Sequence, residues 1–276
     1  MASENGQARR RTALVSITGV PVLAYHGLIQ SAGEPVPAAE QPYWLPCGQF
    51  RSQLDYIVRG GYRFARLEEL WTGNKAANRS GTPVVLTFDD GLASDYEVAY
   101  PMLTALGGKA EFFLNTSTVG QSRHLNWQQI KEMLGAGLSF QSHSHDHVDL
   151  TRLGTGALDR QLRESKEMLE DRLASPVLFL SAPYGLINHK VVQAARQAGY
   201  LAVCGTRCWP ARPGADVVDR VVLRREYSME DFRKYLERRI SKYLSRLVRR
   251  PLYFPRWLLL RFRPARVGVA VLEGKQ

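Results

Sequence analysis

The chain has 276 residues, of which 45% are hydrophobic, and its 37 Lys and Arg residues against 26 Asp and Glu residues give a formal net charge of +11. This length is sufficient for one large domain with a full core plus an extension. The three cysteines lack metal-motif spacing and are odd in number, which excludes a disulfide-stapled scaffold, and no internal repeat or low-complexity tract is present.

Apolar strand candidates alternate along the chain with segments whose apolar residues recur at spacings near three and four, as is typical of helices. The predicted strands cover residues 20–25, 62–65, 84–88, 109–114, 138–141, 177–181, 201–204 and 221–223. The predicted helices cover residues 50–59, 96–106, 127–134, 158–173 and 190–198. The alternation predicts an α/β fold, a distorted (β/α) barrel of seven or eight parallel strands, with a functional site at the carboxyl ends of the strands.

Two adjacent carboxylates and a glycine, Asp89-Asp90-Gly91, directly follow the apolar run 84–88. Neighbouring side chains on a strand point to opposite faces, but the backbone turns at a strand end, so both carboxylates can serve one site. One can bind a cation while the other accepts a proton. An isolated Asp-Asp-Gly is more often a turn that caps the next helix, so the metal interpretation needs a partner elsewhere.

That partner is a histidine cluster, in which His143, His145 and His147 fall within five residues. Imidazole is a common metal ligand, and His143 and His147 can converge on one cation if the backbone between them makes one helical turn. With Asp90 they would supply two nitrogens and one carboxylate oxygen and leave positions open, as catalytic sites do. His145, which lies between them, is expected to support the ligands. The alternative for the cluster is a solvated polar loop.

Three segments together resemble the polysaccharide deacetylase family, the NodB-homology carbohydrate esterases. The first is Thr87-Phe88-Asp89-Asp90-Gly91, and the second is His143-Ser144-His145-Asp146-His147. The third, residues 179–185, is similar to the family's Arg-x-Pro-Tyr-Gly segment, although Ser181 stands where many members carry arginine. The resemblance runs from about residue 20 to residue 232.

One departure from the family pattern concerns the histidine that protonates the leaving amine. After residues 220–223 the sequence has no Leu-x-x-Leu-His segment, where many members place that histidine. Upstream, however, Tyr25-His26-Gly27 ends the first strand and is similar to the opening of the circularly permuted, exopolysaccharide-modifying branch. The resemblance therefore implies that His26 is the general acid. The alternative is a histidine satisfied within the core.

The resemblance implies a metal-dependent hydrolase that removes N-acetyl groups from amino sugars of a polysaccharide or a lipid-linked glycan. Asp90, His143 and His147 would bind a divalent cation, for which zinc is expected. Asp89 would be the general base, with His26 as the acid. Two other functions stay open, an amide hydrolase with a small non-sugar substrate and a catalytically silent glycan-binding barrel, although a pure binder needs no proton acceptor.

Further residues are candidates for substrate contact or for support of the ligands. The resemblance implies that the backbone N–H of Tyr184, beside Pro183, would stabilise the tetrahedral oxygen. Ser144 would support the ligands together with His145. The long loop 33–46 follows His26 and is expected to line the substrate groove. Its Tyr43 and Trp44 are candidates for stacking on a sugar, and hydrophobic anchoring of the loop is an equal alternative.

Positive charge is concentrated at the C-terminus, where residues 231–276 carry thirteen Lys and Arg against three Asp and Glu, a net of +10. We therefore divide the chain into an N-terminal tail (1–18), a deacetylase barrel (19–227) and a basic amphipathic helical extension (228–276).

The apolar run within the extension is too short and too charged to span a bilayer, which takes ~20 apolar residues. The extension suits the surface of an anionic membrane, whereas its first half could instead cover the barrel. No nucleic-acid partner is expected, because no recognition motif accompanies the charge.

The N-terminus superficially resembles an export signal, because Arg9-Arg10-Arg11 precedes an apolar stretch. Polar residues interrupt that stretch, and it runs directly into the strand that ends at His26, so cleavage would endanger the fold. Together with the unpaired cysteines, this predicts a cytoplasmic protein, with peripheral binding at the inner face of the membrane.

Overall fold

A computed structural model describes residues 18–31, 33–72 and 80–239 of the chain. Most of the predicted tail 1–18, and all of the predicted extension beyond residue 239, lie outside these ranges. The interaction of residues 228–276 with an anionic membrane therefore stays a prediction. No helix within the described ranges is long and apolar enough to cross a membrane.

The described residues form a parallel α/β structure. Its strands are β1 (Val22–Tyr25), β2 (Leu28–Ile29), β3 (Leu45–Pro46), β4 (Tyr62–Phe64), β5 (Thr82–Phe88), β6 (Glu111–Leu114), β7 (Ser139–Ser142), β8 (Phe179–Ser181), β9 (Ala202–Gly205), β10 (Val217–Asp219) and β11 (Val221–Val222). Its helices are α1 (Cys47–Arg59), α2 (Leu67–Trp71), α3 (Tyr100–Thr104), α4 (Trp127–Gly135), α5 (Thr155–Leu173), α6 (His189–Gln197) and α7 (Met229–Leu236).

Eight of these strands form a nearly closed barrel. They are paired in the order β10-β9-β8-β7-β6-β5-β1-β11, and every pairing along this path is parallel. The two ends of the path, β10 and β11, are separated in the chain by Arg220 alone. The sheet therefore curves back on itself, and the predicted (β/α) barrel is confirmed. The short strand β4 pairs with the start of β5 and lies off this path.

Alternation along the strands creates two apolar clusters. Leu86 and Phe88 on β5 belong to a large cluster that includes residues from six of the helices, which places it between the barrel and its helical coat. Val85 belongs to a smaller cluster, together with Phe113, to which only α2 contributes a helical residue, so this cluster fills the barrel interior. Burying each large apolar side chain contributes about 1.5–3 kcal/mol, so both layers stabilise the closed sheet.

The predicted helix at 96–106 differs from the observed structure. The chain forms a π-helical turn over Asp95–Ala99 and then the short helix α3, which has Pro101 in its first turn. Proline has no backbone N–H to donate to the preceding turn, so it interrupts regular α-helical hydrogen bonding, and π-helical turns occur at such interruptions.

Helix α7 begins where the sequence indicated a helix start. Ser228 and Asp231 cap it reciprocally, each side chain accepting a hydrogen bond from the other residue's backbone N–H. Its apolar side, which includes Phe232 and Leu236, is buried, and the Phe232 ring packs edge-to-face on Tyr56 of α1. The start of the basic segment therefore covers the barrel exterior.

Candidate active site

The candidate site lies at the carboxyl edge of the barrel. Strand β1 pairs with β5 so that Tyr25 is opposite Phe88, and the next residues along the two strands are His26 and Asp89. Strand β7 leads into His143, and β8 leads into the segment that contains Tyr184. Because all these strands are parallel, their carboxyl ends bring the predicted residues to one edge.

Asp90, His143 and His147 form a compact group of ligand atoms. The Nε2 atoms of both histidines lie 3.3 Å from Oδ1 of Asp90. Each of the three residues offers one ligand atom, and all these atoms lie within 4.8 Å of one another. The structure thus brings together the three residues that the sequence predicts as metal ligands.

The backbone brings His143 and His147 together by a route that differs from the predicted helical turn. The segment from residue 143 to 147 is an irregular loop, in which Ser144 and His147 have φ angles of 68° and 52°. Asp90 has φ 76° and Tyr184 has φ 60°. Left-handed backbone at residues other than glycine is strained and concentrates at functional sites.

The group fits a divalent cation by the chemistry of its donors. The Nδ1–H of buried His143 donates to the carbonyl oxygen of Ser181 at 2.8 Å, which leaves the Nε2 lone pair toward Asp90. One carboxylate oxygen and two imidazole nitrogens suit zinc and related metals. The Asp90 and His147 side chains are 30% and 27% exposed, so one side of the group is accessible to substrate.

The pKa of His143 is raised from its ordinary value. Burial alone would lower it, but the charges of Asp89 and Asp90 outweigh burial. Since a metal ligand must be unprotonated at the binding nitrogen, a cation would compete with protons for this imidazole.

Asp89 does not belong to the ligand group and is held separately. Its two oxygens accept from the Arg220 guanidinium at 2.7 and 2.8 Å, and the Ser181 hydroxyl donates to Oδ2 at 3.3 Å. Burial opposes ionisation of the carboxyl, but Arg220 outweighs it and holds the pKa below the ordinary 3.8. Asp89 is therefore an ionised carboxylate beside the ligand group, as a proton acceptor must be.

His26 lies beside Asp89 across the β1–β5 pairing. Its Nδ1 is buried and has no hydrogen-bond partner in the described part of the chain. Burial lowers the pKa of His26, whereas Asp90 and Asp89 act in the opposite direction. Its ring centroid is 5.3 Å from that of Tyr43, whose ring is tilted by 36° relative to the imidazole. The Arg224 guanidinium lies 5.0 Å from the centroid of the same Tyr43 ring.

The aromatic candidates differ in their placement. Trp44 is 5% exposed and packs with Ile29 and Leu92, so its ring is not available to a sugar and the anchoring alternative describes it. Gly27 allows this packing, because a Cβ at that position would lie 2.0 Å from the indole. Tyr184 is 53% exposed, its ring lies 4.8 Å from His147, and it follows buried Pro183.

The two residues predicted to support the ligands lie outside the ligand group. His145 forms a hydrogen bond through Nδ1 to the Thr116 hydroxyl at 2.8 Å. Ser144 is fully buried, and its backbone N–H donates to the Ser142 hydroxyl. Both contacts fasten the loop that carries His143 and His147.

The sequence analysis did not identify Arg220 as a site residue. Two signals were available, an arginine inside the apolar run Val217-Val218-Asp219-Arg220-Val221-Val222 and the serine at position 181 in place of the family's arginine. Neither signal indicates that the guanidinium reaches Asp89, because the two residues are 131 positions apart.

Comparisons with known proteins agree with this geometry. Residues 76–203 match the family model for polysaccharide deacetylases. YxkH of Bacillus subtilis (strain 168), which is named for that family, is 29% identical over 184 residues, covering 66% of this chain and 62% of YxkH. The poly-β-1,6-N-acetyl-D-glucosamine N-deacetylase of Staphylococcus aureus (strain MRSA252) is 26% identical over 171 residues, covering 57% of this chain and 59% of that enzyme.

Among solved structures, the deacetylase PplD of Streptococcus pyogenes, in complex with acetate, superposes with a TM-score of 0.70 at 26% identity. The match covers 81% of this chain and all of PplD. The chain thus spans the whole of one solved relative but only about three fifths of the curated relatives.

The fold and site define an α/β-barrel protein with a carboxylate–histidine group at the carboxyl ends of its strands. The chain is similar to polysaccharide deacetylases, and residues 76–203 match the model of that family. The family match includes Asp89 and the three ligand residues, whereas His26 and Arg220 lie outside it.

Proposed function

We propose that the protein is a metal-dependent N-deacetylase that hydrolyses N-acetyl groups of amino sugars in a polysaccharide or lipid-linked glycan. The observation that carries the proposal is the ionised Asp89 directly beside the ligand group of Asp90, His143 and His147. A binding protein would have no use for a held proton acceptor at this point. The name of the staphylococcal relative supports an N-acetylglucosamine polymer as substrate.

The cation site would be formed by Asp90, His143 and His147, and zinc suits this donor set. A bound divalent cation supplies Lewis-acid polarisation of the acetamide carbonyl and acidifies water. The accessible side of the group, next to Tyr184, is where the acetamide would enter.

The residues of the chain carry the proton transfers. Asp89 accepts a proton from the water whose oxygen bonds to the carbonyl carbon. By family resemblance, the backbone N–H of Tyr184 donates to the tetrahedral oxygen. His26 donates a proton to the amine nitrogen as the C–N bond breaks, so that acetate and a free amino sugar leave.

The direct test is acetate release by the zinc-loaded protein. The substrates are β-1,6-linked N-acetylglucosamine oligomers, chitooligosaccharides and a small non-sugar N-acetyl amide at equal concentration. The proposal expects release from at least one oligosaccharide and much less from the small amide. Preference for the small amide would favour the alternative amide hydrolase, and oligosaccharide binding without any release would favour the silent glycan-binding barrel.

A further inference from the structure

The wall of the site beside His26 is formed by Tyr43 and Arg224. The Tyr43 ring centroid lies 5.3 Å from that of the His26 imidazole, and the Arg224 guanidinium lies 5.0 Å from the centroid of the same Tyr43 ring. Both wall residues are partly buried, and the Arg224 side chain is 19% exposed. A positive charge is therefore present close to the proposed acid, where the leaving amine would lie.

The backbone fixes this wall at the carboxyl edge of the barrel. Arg224 comes two residues after β11, whose parallel pairing with β1 is continued by a hydrogen bond from the Leu223 N–H to the Ala24 carbonyl oxygen at 2.8 Å. The Arg225 N–H donates to the carbonyl oxygen of Pro42 at 2.8 Å, so the same segment also holds the loop that forms the rest of the wall. The position of Arg224 is thus set by barrel closure.

Arg224 pairs with an exposed carboxylate of its own segment. Its Nε lies 2.6 Å from Oε1 of Glu226, whose side chain is 51% exposed, and its Nη1 donates to the Tyr43 hydroxyl at 3.5 Å. An ion pair with an exposed partner contributes little to stability, because water screens it and ordering the side chains costs entropy. A second oxyanion can therefore replace Glu226 at the guanidinium, or bind beside it, at small cost.

The chemistry of the guanidinium selects an oxyanion over a neutral sugar. Arginine presents its donors in a planar fork that matches the oxygens of a carboxylate or a phosphate. Hydrogen bonds that involve charged groups are roughly twice as strong as those between neutral groups. A neutral hydroxyl would use one donor of the fork without balancing its charge, so an anionic group on the substrate is the better partner for Arg224.

The place of this guanidinium relative to the reacting bond indicates where the substrate would carry that anion. His26 would protonate the nitrogen on C2 of the amino sugar. The substituents on the neighbouring carbons, C1 and C3, are the parts of the substrate nearest to that nitrogen that can extend past the imidazole toward Tyr43 and Arg224. The anion is therefore expected on one of these substituents.

We propose that Arg224, held by Tyr43 beside His26, forms a subsite for an oxyanion that the substrate carries next to its N-acetylated carbon. This inference rests on the proposed function and names the substrate class as an anionic N-acetyl amino-sugar glycan. Two sources supply the same chemistry, a phosphate ester on C1 and the carboxylate of a linked uronic acid. Arg224 determines specificity and takes no part in the proton transfers.

The test compares anionic substrates with neutral counterparts on the zinc-loaded protein. N-acetylglucosamine 1-phosphate is paired with methyl N-acetylglucosaminide, and a disaccharide of glucuronic acid and N-acetylglucosamine is paired with the corresponding glucose disaccharide. In at least one pair kcat/KM should be roughly 10- to 100-fold higher for the anionic member, which is the factor that a hydrogen bond to a charged group supplies. The preferred pair identifies the source of the anion. Equal kcat/KM within both pairs would overturn the subsite.

Arg224→Gln should remove this preference, chiefly by raising KM for the anionic substrate, and should leave kcat/KM for the neutral substrate near the wild-type value. The matched control is Arg225→Gln, which removes the same charge from the adjacent, exposed side chain and should keep the preference. Loss of the preference in both variants would show that net charge, and not the subsite, is responsible.

Glu226→Gln is a second variant, which stays informative if Arg224→Gln does not fold. It removes the carboxylate that competes for the guanidinium, so KM for the anionic substrate should fall while KM for the neutral substrate stays constant. A merely structural role of the ion pair would not produce this selective gain. An unchanged or higher KM for the anionic substrate would contradict the subsite.

Equilibrium binding separates this inference from the proposed function. Calorimetric titration with the deacetylated forms of the four compounds gives their dissociation constants for the wild type and Arg224→Gln. If the wild type released no acetate but bound an anionic form more tightly than its neutral counterpart, and Arg224→Gln did not, the deacetylase function would fail and the subsite would stand. Acetate release without any preference in rate or binding would overturn the subsite and leave the proposed function intact.

Discussion

Two buried carboxylic acids inside the barrel show that a paired guanidinium decides whether burial raises the pKa of an acid. Asp89 at the carboxyl edge contacts the Arg220 guanidinium, and its pKa is lowered. Glu111, at the start of β6, accepts from the Leu67 backbone N–H and the Gln141 amide, and burial raises its pKa from the ordinary value. The carboxyl edge of the barrel thus favours the ionised form of Asp89, whereas the opposite edge favours the neutral form of Glu111.

The difference extends to the backbone. The site edge carries left-handed φ angles at Asp90 and His147, and a buried His26 Nδ1 with no partner among the described residues. Glu111 and Gln141, by contrast, bond to backbone N–H groups that start α2 and β8. Left-handed backbone at residues other than glycine, which is also found at Ser144 and Tyr184, is therefore frequent where the proposed chemistry takes place.

The largest effect that the comparison predicts is loss of the cation. Asp90→Asn or His147→Ala should reduce bound zinc, measured by mass spectrometry after dialysis, to background, and acetate release should fall with it. His145→Ala is the matched control from the same loop and should retain one zinc per chain. Retention of zinc by His147→Ala would show that the ligand group is misassigned.

The acid role of His26 predicts the next largest effect. Protonation of a leaving group is typically worth ~100- to 10,000-fold, so His26→Ala should slow hydrolysis of an N-acetyl sugar by about that factor at unchanged zinc content. An activated acetyl ester, whose leaving group needs little protonation, should be hydrolysed at close to the wild-type rate. Equal losses of hydrolysis rate on both substrates would mean that His26 has a structural role in the core and is not the acid.

The two carboxyls should give opposite pH slopes in the stability of the metal-free protein. Because the pKa of Asp89 is lowered, its contribution is present above 3.8 and is lost as the pH falls through the lowered pKa. Because the pKa of Glu111 is raised, its contribution is present below 4.5 and is lost as the pH rises through the raised pKa.

Urea unfolding of Asp89→Asn and Glu111→Gln between pH 3 and pH 8 checks these slopes. The stability deficit of Asp89→Asn, about 1–3 kcal/mol at neutral pH, should shrink in acid. The deficit of Glu111→Gln should instead be greatest in acid. If the stability deficits of the two variants changed with pH in the same direction, the pairing with Arg220 would not be what lowers the pKa of Asp89.

The smallest predicted effect concerns the packing of the Trp44 indole on Gly27. Gly27→Ala would place a Cβ 2.0 Å from the Trp44 indole and should destabilise the protein by about 1–3 kcal/mol. Gly48→Ala, at a helical position with nothing within 4 Å of the added Cβ, should be neutral or slightly stabilising. Equal thermal unfolding midpoints for the two variants would contradict the packing described for Trp44.

Much of this architecture is readable from the sequence, because buried parallel strands produce apolar runs and motif residues follow their ends. Asp89, Asp90, His143 and His147 are predicted as site residues in this way, and the structure brings the last three together. Arg220 is not predicted, since its role depends on barrel closure, which brings it next to a residue 131 positions away. The burial of Trp44 also depends on a contact that no local pattern shows, namely the space left by Gly27.

The central claim, that Asp89 is a proton acceptor beside a cation site to which it does not belong, is tested most directly by Asp89→Asn. Zinc content and acetate release from N-acetylglucosamine oligomers would be measured on the same folded sample. The prediction is one zinc per chain, as in the wild type, with turnover lowered by ~100- to 10,000-fold. Turnover near the parental rate, or loss of zinc together with activity, would contradict the account.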